Sequence, residues 1–273
     1  MGIVNMIEKE VPLRCLILFS ALSLTSTTGQ ATTIIFKVDA TAIYVVADNR
    51  AGLSIDGKPS QVSDRSCKII SLGQTTVAVA GEVSRFQNLS VRPELAQDAF
   101  SDVRTAFAAV GDDDLDRLAE KWSGLSAKHT SEYYNSHPDL WIRDLEPVSE
   151  KNLATGVFLG WRQHQPEVKL TDVRWQNHEF EAVNLVFSHP LEEHSLNPLT
   201  QELIDGNTSR AKDTARRWQT ISRQYSPTEQ VWRHMMFLVS ETSKIDPTVS
   251  PSSDVRRVMK SGKMDWLHNS VCK

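Results

Sequence analysis

From Ala31 to Ala51 two apolar, β-branched runs flank a short polar turn at Asp39-Ala40-Thr41, a pattern that predicts a β-hairpin. The second run closes on Asp48-Asn49-Arg50, where an ordinary buried strand would simply stop. A turn-rich link follows, Leu53 to Arg65, holding Asp56-Gly57-Lys58-Pro59. Two more apolar runs, Cys67 to Leu72 and Thr75 to Gly81, are separated by Gly73-Gln74, a tight hairpin signal. Residues 32–81 therefore read as about four strands.

The period then changes. Glu94, Leu95, Ala99, Val103, Phe107 and Val110 recur at helical spacing, with Pro93 in the first turn and Gly111 as the stop. Asp112-Asp-Asp-Leu-Asp116 opens a second helix, where acidic residues suit the positive end of the dipole. A calcium loop there would need alternating ligands and a glycine, and both are missing. Leu115, Leu118, Trp122 and Leu125 form the buried stripe. His137-Pro138 and Glu146-Pro147 mark a loop. Strands return at 156–161, 168–175 and 180–187, and a second helical pair spans roughly 208–223 and 227–243. Ser226-Pro227-Thr228-Glu229 is a capping box with proline in the first turn. Asp254 to Met259, a turn at Ser261-Gly262-Lys263 and Met264 to Leu267 end the chain. Blocks of strands and helices in this order predict an α+β fold with helices layered on antiparallel sheets.

Composition narrows the function classes. A chain of 273 residues suffices for one sizeable core. With 40% hydrophobic and 23% charged residues it has an ordinary globular balance. A net charge of -4 provides no basic field, which argues against nucleic-acid binding. No apolar run reaches the roughly 18 residues of a membrane span. Residues 1–31 stand apart. Lys9 and Arg14 precede an apolar stretch from Cys15 to Leu24, and Gly29-Gln30-Ala31 fits a signal-peptidase site. The reading is a leader over 1–31, a single domain over 32–273, and export to a periplasm or the exterior. The alternative is an N-terminal extension on a cytoplasmic protein, since Glu8 and Glu10 weaken the basic region. Cys15 would leave with the leader. Cys67 and Cys272 then form one possible disulfide in an oxidising compartment, although nothing in the sequence sets their distance. Without a Cys-x-x-Cys spacing a structural zinc site is not expected.

Cleavage after Ala31 would make Thr32 the new terminus. A threonine hydroxyl alone is a poor nucleophile. At a chain terminus its own α-amino group, with an ordinary pKa of about 7.7–8.0, can act as the base. A nearby cation keeps that amine unprotonated and eases loss of the hydroxyl proton. Lys68 is the candidate cation and Asp48 the carboxylate that would hold it. The backbone N–H of Gly81 is a candidate for facing a developing oxyanion. Each also has a plainer reading: strand threonines, a turn aspartate, a solvated lysine and a strand-ending glycine.

Thr32-Thr33, Ala47-Asp48-Asn49-Arg50, Lys68-Ile-Ile and Val79-Ala80-Gly81 together resemble a proteasome-type β subunit, a family of N-terminal nucleophile (Ntn) hydrolases. The resemblance implies a four-layer αββα sandwich, a threonine peptidase or amide hydrolase without a cofactor, and assembly into a homo-oligomeric ring. It also implies a second aspartate after the last helix, placed at Asp246 with Ser250 nearby, and a serine beside the nucleophile, for which Ser209 is the nearest match. The chain departs from the family pattern at Gly81-Glu82 and in lacking a Gly-Ser-Gly loop. Substrates would be peptides or small amides, with no nucleic-acid partner and no membrane association after leader removal. The rival expectations are a catalytically silent structural subunit of this fold and an exported binding protein that merely shares it.

Other signals are weaker. His189 and His194 flank a loop but lack two further metal ligands. Trp161, Trp175 and Trp232 read as core or interface aromatics. N-terminal sequencing of the chain purified from its native host is expected to begin at Thr32. A terminus anywhere else leaves the proposed nucleophile without its base.

Overall fold

The apolar alternation of the first hairpin builds two cores at once. The computed structural model describes residues 32–55, 58–81, 84–87, 94–111, 113–185 and 193–272. β1 (Ile34–Val38) and β2 (Ala42–Asp48) pair antiparallel, with Ile34 opposite Ala47. Ile34, Phe36, Val38, Ile43, Val45 and Ala47 enter one core, whereas Ile35, Ala42, Tyr44 and Val46 enter another. β2 is thus buried on both faces, which is why it reads as a continuous apolar run. The turn is fixed by Asp39, whose carboxylate accepts the N–H of Thr41 and Ala42, each at 2.7 Å.

This hairpin lies in a five-stranded antiparallel sheet ordered β12 (Glu193–Ser195), β1, β2, β13 (Ser253–Met259), β14 (Met264–His268). A second sheet is ordered β11 (Glu179–Leu185), β10 (Gln165–Gln176), β9 (Glu150–Arg162), β6 (Thr75–Gly81), β5 (Ile69–Leu72). The sheets stack face to face over Phe36, Val45, Val157, Leu159 and Trp161. The second sheet's outer face is covered by α1 (Ala99–Val110) and α2 (Leu115–Asn135). The first sheet's outer face is covered by α4 (Pro198–Asp205), α5 (Ser209–Ser222) and α6 (Pro227–Thr242). The result is an α+β sandwich of four layers, αββα. α3 (Pro138–Asp144) packs Leu140 and Trp141 against Tyr134 and Trp175 at one end.

Trp122 shows how closely the layers fit. Its ring is fully buried against Phe158 at 5.6 Å, edge to face. Gly156 leaves room for it, since a Cβ there would lie 2.6 Å from the ring.

Several elements differ from the sequence pattern. The link after Arg50 is a second hairpin, β3 (Ala51–Ile55) with β4 (Lys58–Ser63). Asp56 and Gly57, the dipeptide type that two-residue hairpin loops favour, fall outside the described residues. The described residues between 32 and 81 thus hold six strands. Glu94 to Asp98 is a strand, β8, paired with β7 (Ser84–Gln87), and not a first helical turn. Asp98 instead caps α1, accepting from the N–H of Phe100 and Ser101 at 3.2 Å. Pro93 lies outside the described residues. His137-Pro138 starts α3 rather than a loop, with proline at its first position. β12 and α4 carried signals that went unread: Asn197 caps α4, Pro198 follows, and Gly206 ends it in the left-handed region at φ 73°. The capping box at Ser226 and Glu229 forms as its sequence indicates. Trp161, Trp175 and Trp232 are all buried, and Trp161 donates its Nε1–H to the Val258 carbonyl at 3.0 Å. Among the described residues, no helix is long and apolar enough to cross a membrane.

Phe158→Ala should cost about 3–5 kcal/mol in urea unfolding, the usual range for a buried aromatic truncated in a packed core. A loss below about 1 kcal/mol would mean that the sheet and α2 do not close on it.

Candidate active site

Asp48 is the last residue of β2 and Thr32 precedes β1. The pairing of the two strands brings the backbones together: Asp48 N–H donates to the Thr33 carbonyl at 3.0 Å. The Asp48 side chain is fully buried. Four donors surround its carboxylate. Oδ1 accepts from the Thr33 N–H (2.8 Å) and the Lys68 ammonium (3.1 Å); Oδ2 accepts from the N–H groups of Arg50 (3.0 Å) and Ser250 (3.2 Å). A buried carboxylate survives desolvation only with such a complement of donors.

Lys68 stands just before β5, and its carbonyl extends the ladder by accepting from Val79 N–H at 3.1 Å. Its side chain is 3% exposed. Nζ donates to Asp48 and, at 3.0 Å, to the Thr32 hydroxyl. Burial pushes the ammonium below the ordinary lysine value, and the Asp48 carboxylate opposes that shift. Thr32 is itself 7% exposed. The structure thus joins three of the residues singled out in the sequence into one chain, carboxylate to ammonium to hydroxyl.

A second ion pair lies beside this one. Arg50 clasps Asp64 through Nε (2.8 Å) and Nη2 (3.0 Å), and its Nη1 reaches the Pro247 carbonyl. The hydrogen bond from Arg50 holds the Asp64 carboxyl below the usual range, and the same bond raises the guanidinium. Asp64 falls in the turn-rich link, and its role depends on the β3–β4 hairpin that carries it back. Arg50 was signalled by its place in the charged end of β2.

The remaining candidates separate. Gly81 ends β6 two residues beyond Val79, with φ at 90° in the left-handed region. A Cβ there would come 2.4 Å from the Leu153 carbonyl oxygen, so only glycine fits. Asp246 does not join the Thr32 chain. Its carboxylate accepts from Asn197 Nδ2 at 3.1 Å and from the Thr248 N–H at 2.9 Å, tying the turn after α6 to the cap of α4. Its neighbour Ser250, not Asp246, supplies the contact to Asp48. Ser209 is exposed at the first position of α5, a helix packed on α4 and α6 in the outer layer. Cys67 and Cys272 are joined in a disulfide with Cα atoms 4.8 Å apart. His194 packs on Phe36 with ring centroids 5.5 Å apart, and His189 lies outside the described residues. Among the described residues, no group of three or more His, Cys, Asp or Glu is placed to hold a metal ion.

No family model matches this chain, and no curated protein is similar to it. Among solved structures it is similar to an Anbu (Gly-1) mutant from Hyphomicrobium sp. strain MC1, with TM-score 0.48, 11% identity, and 86% of this chain and 84% of that one covered. It is also similar to Anbu, an ancestral beta-subunit, from Yersinia bercovieri, with TM-score 0.48, 10% identity and 87% of each chain covered. Similarity so distant carries no family membership. The assignment to the proteasome β-subunit family is therefore withdrawn, and the ring assembly expected from it loses its support. What remains is the geometry at Thr32.

Lys68→Ala should cost about 3–5 kcal/mol of stability, because the Asp48 carboxylate stays buried without its cation. Lys68→Ala combined with Asp48→Asn should be less destabilised than the two single losses sum to, since the neutral amide needs no counterion. Additive losses in urea unfolding would mean that the pair is not coupled.

Proposed function

We propose that the mature chain is an amide-bond hydrolase of the threonine-peptidase type whose nucleophile is the hydroxyl of Thr32 at a freed amino terminus. The observation that carries this reading is the Lys68 ammonium, buried, 3.0 Å from the Thr32 hydroxyl and 3.1 Å from Asp48. Strand threonines have no need of a buried cation aimed at their hydroxyl, and a buried lysine is costly unless its charge is used or paired. The Cys67–Cys272 disulfide supports the exported location that leader removal would require.

In the reaction, Thr32 Oγ attacks the substrate carbonyl while its proton passes to the α-amine. The positive charge of Lys68 favours both the neutral amine and the developing alkoxide, in a site largely closed to water. The Gly81 N–H is assigned to the oxyanion of the tetrahedral intermediate. Collapse transfers the amine's proton to the leaving amine and leaves an ester on Thr32. Water, deprotonated by the same α-amine, then attacks the ester, releasing the carboxylic acid and restoring the hydroxyl. Asp48 holds Lys68 in place, and Arg50 and Ser250 hold Asp48 through their backbone N–H groups.

The test uses the chain starting at Thr32 and a panel of fluorogenic peptide amides. Thr32→Ala should fold, since one hydroxyl hydrogen bond is worth about 1 kcal/mol, yet show no turnover above background. Activity equal to the unaltered chain ends the proposal. The pH profile carries a further expectation. Because the Lys68 pKa is lowered, the cation is lost as pH rises through that value, so kcat/KM should fall on the alkaline side below the ordinary lysine value of 10.5.

A further inference from the structure

The short segment that carries Lys68 is not itself a strand, so something else must hold it. Residues 65–68 have no regular structure. Two backbone bonds anchor them: Ser66 N–H to the Asn49 carbonyl at 3.0 Å, and Val79 N–H to the Lys68 carbonyl at 3.1 Å. The third anchor is covalent. Cys67 is bonded to Cys272, 205 positions later in the chain.

Cys272 is buried in the core between the sheets. The tail that delivers it is itself gripped. Asp254, fully buried on β13, accepts from the N–H groups of Ser270, Val271 (3.1 Å) and Cys272 (3.2 Å), and from the Ser270 hydroxyl (3.1 Å). The Ser270 hydroxyl also accepts from Asn49 Nδ2. One tail therefore touches both neighbours of the ion pair: Asn49, which follows Asp48, and Cys67, which precedes Lys68. An aspartate collecting three successive amides is a specific docking device, since each buried donor would otherwise go unsatisfied.

We propose that the C-terminal tail Ser270–Cys272 is a positioning element for the Lys68 ammonium, locked by the Cys67–Cys272 disulfide, and that reducing this bond with a dithiol lowers turnover at Thr32. The proposal rests on the hydrolase reading above and adds a redox control to the same site. The chemistry is thiol–disulfide exchange. A thiolate of the dithiol attacks one cysteine sulfur and releases the other as thiolate, which takes up a proton. The second thiol of the reagent then displaces the remaining cysteine. Two electrons pass to the protein, Cys67 and Cys272 end as thiols, and the dithiol ends as a cyclic disulfide. With the bond open, the segment before β5 loses its covalent tie to the tail, and water gains access to Nζ.

The experiment compares the chain starting at Thr32 in oxidised form, the same chain reduced with dithiothreitol, and Cys272→Ser, with near-UV circular dichroism as the check that each is folded. Two readouts are taken: acetylation of Lys68 by N-hydroxysuccinimidyl acetate, followed by peptide mass spectrometry, and steady-state kinetics. Lys68 should be protected in the oxidised chain and acetylated at least about tenfold faster in the other two, with kcat down about tenfold and KM within about twofold. Reoxidation should restore the unaltered chain and not Cys272→Ser. Equal acetylation rates in all three folded forms, or an unchanged kcat after reduction, would overturn the proposal. Absence of turnover in every form would overturn the hydrolase reading instead, while the acetylation rates would still decide whether the tail holds Lys68.

Discussion

A positive and a negative charge hidden from water at the end of a sheet impose most of what is distinctive about this chain. Removing each from solvent costs several kcal/mol, and their attraction offsets this only when the remaining valences are filled. Asp48 accepts four hydrogen bonds, from the residue before β1, from its own strand's exit, from the segment before β5 and from the turn after α6. Elements from both ends of the chain must therefore converge within hydrogen-bond distance of one carboxylate. Lys68 has a second obligation, the Thr32 hydroxyl, and that contact turns a structural pair into a candidate reaction centre.

The surroundings follow from that constraint. Arg50 and Asp64 form a more exposed pair beside the first, and the Arg50 guanidinium bridges the base of the β3–β4 hairpin to the turn at Pro247. The turn that presents the Ser250 amide is shaped by Asp246, which bonds two residues ahead and across to Asn197. Asp246 thus matters to the site through backbone placement, one step removed from the chemistry.

Some of this was legible in the sequence for definite reasons. Thr32, Asp48 and Lys68 stand at strand ends, where an apolar run meets a polar residue, and that junction is visible in a linear pattern. The layers were legible because strands and helices come in separate blocks. The second hairpin was hidden because Lys58 and Pro59 look like turn residues, although Pro59 takes part in the pairing opposite Ser54. β8 was hidden because Glu94 and Leu95 happen to continue the period of α1. The partner of Arg50, Asp64, could not be read at all, since it depends on which loop returns to the same edge, and Ser250 was placed near the site without its bond to Asp48. Of the residues that the motif resemblance singled out, Thr32, Asp48 and Lys68 are joined by hydrogen bonds, whereas Asp246 and Ser209, where its spacing was loose, stand outside that chain.

The first sheet mixes strands from opposite ends of the polypeptide: β2 takes its neighbour β13 from the final stretch, with Asp48 opposite Ser253. Until that late segment docks, the inner edge of β2 has no partner and the turn that caps the Asp48 carboxylate has nowhere to sit. A chain that lacks β13 and the turn before it therefore cannot assemble the buried pair around Asp48. Such long-range closure also makes folding slow, because the loop entropy must be spent before the contacts form.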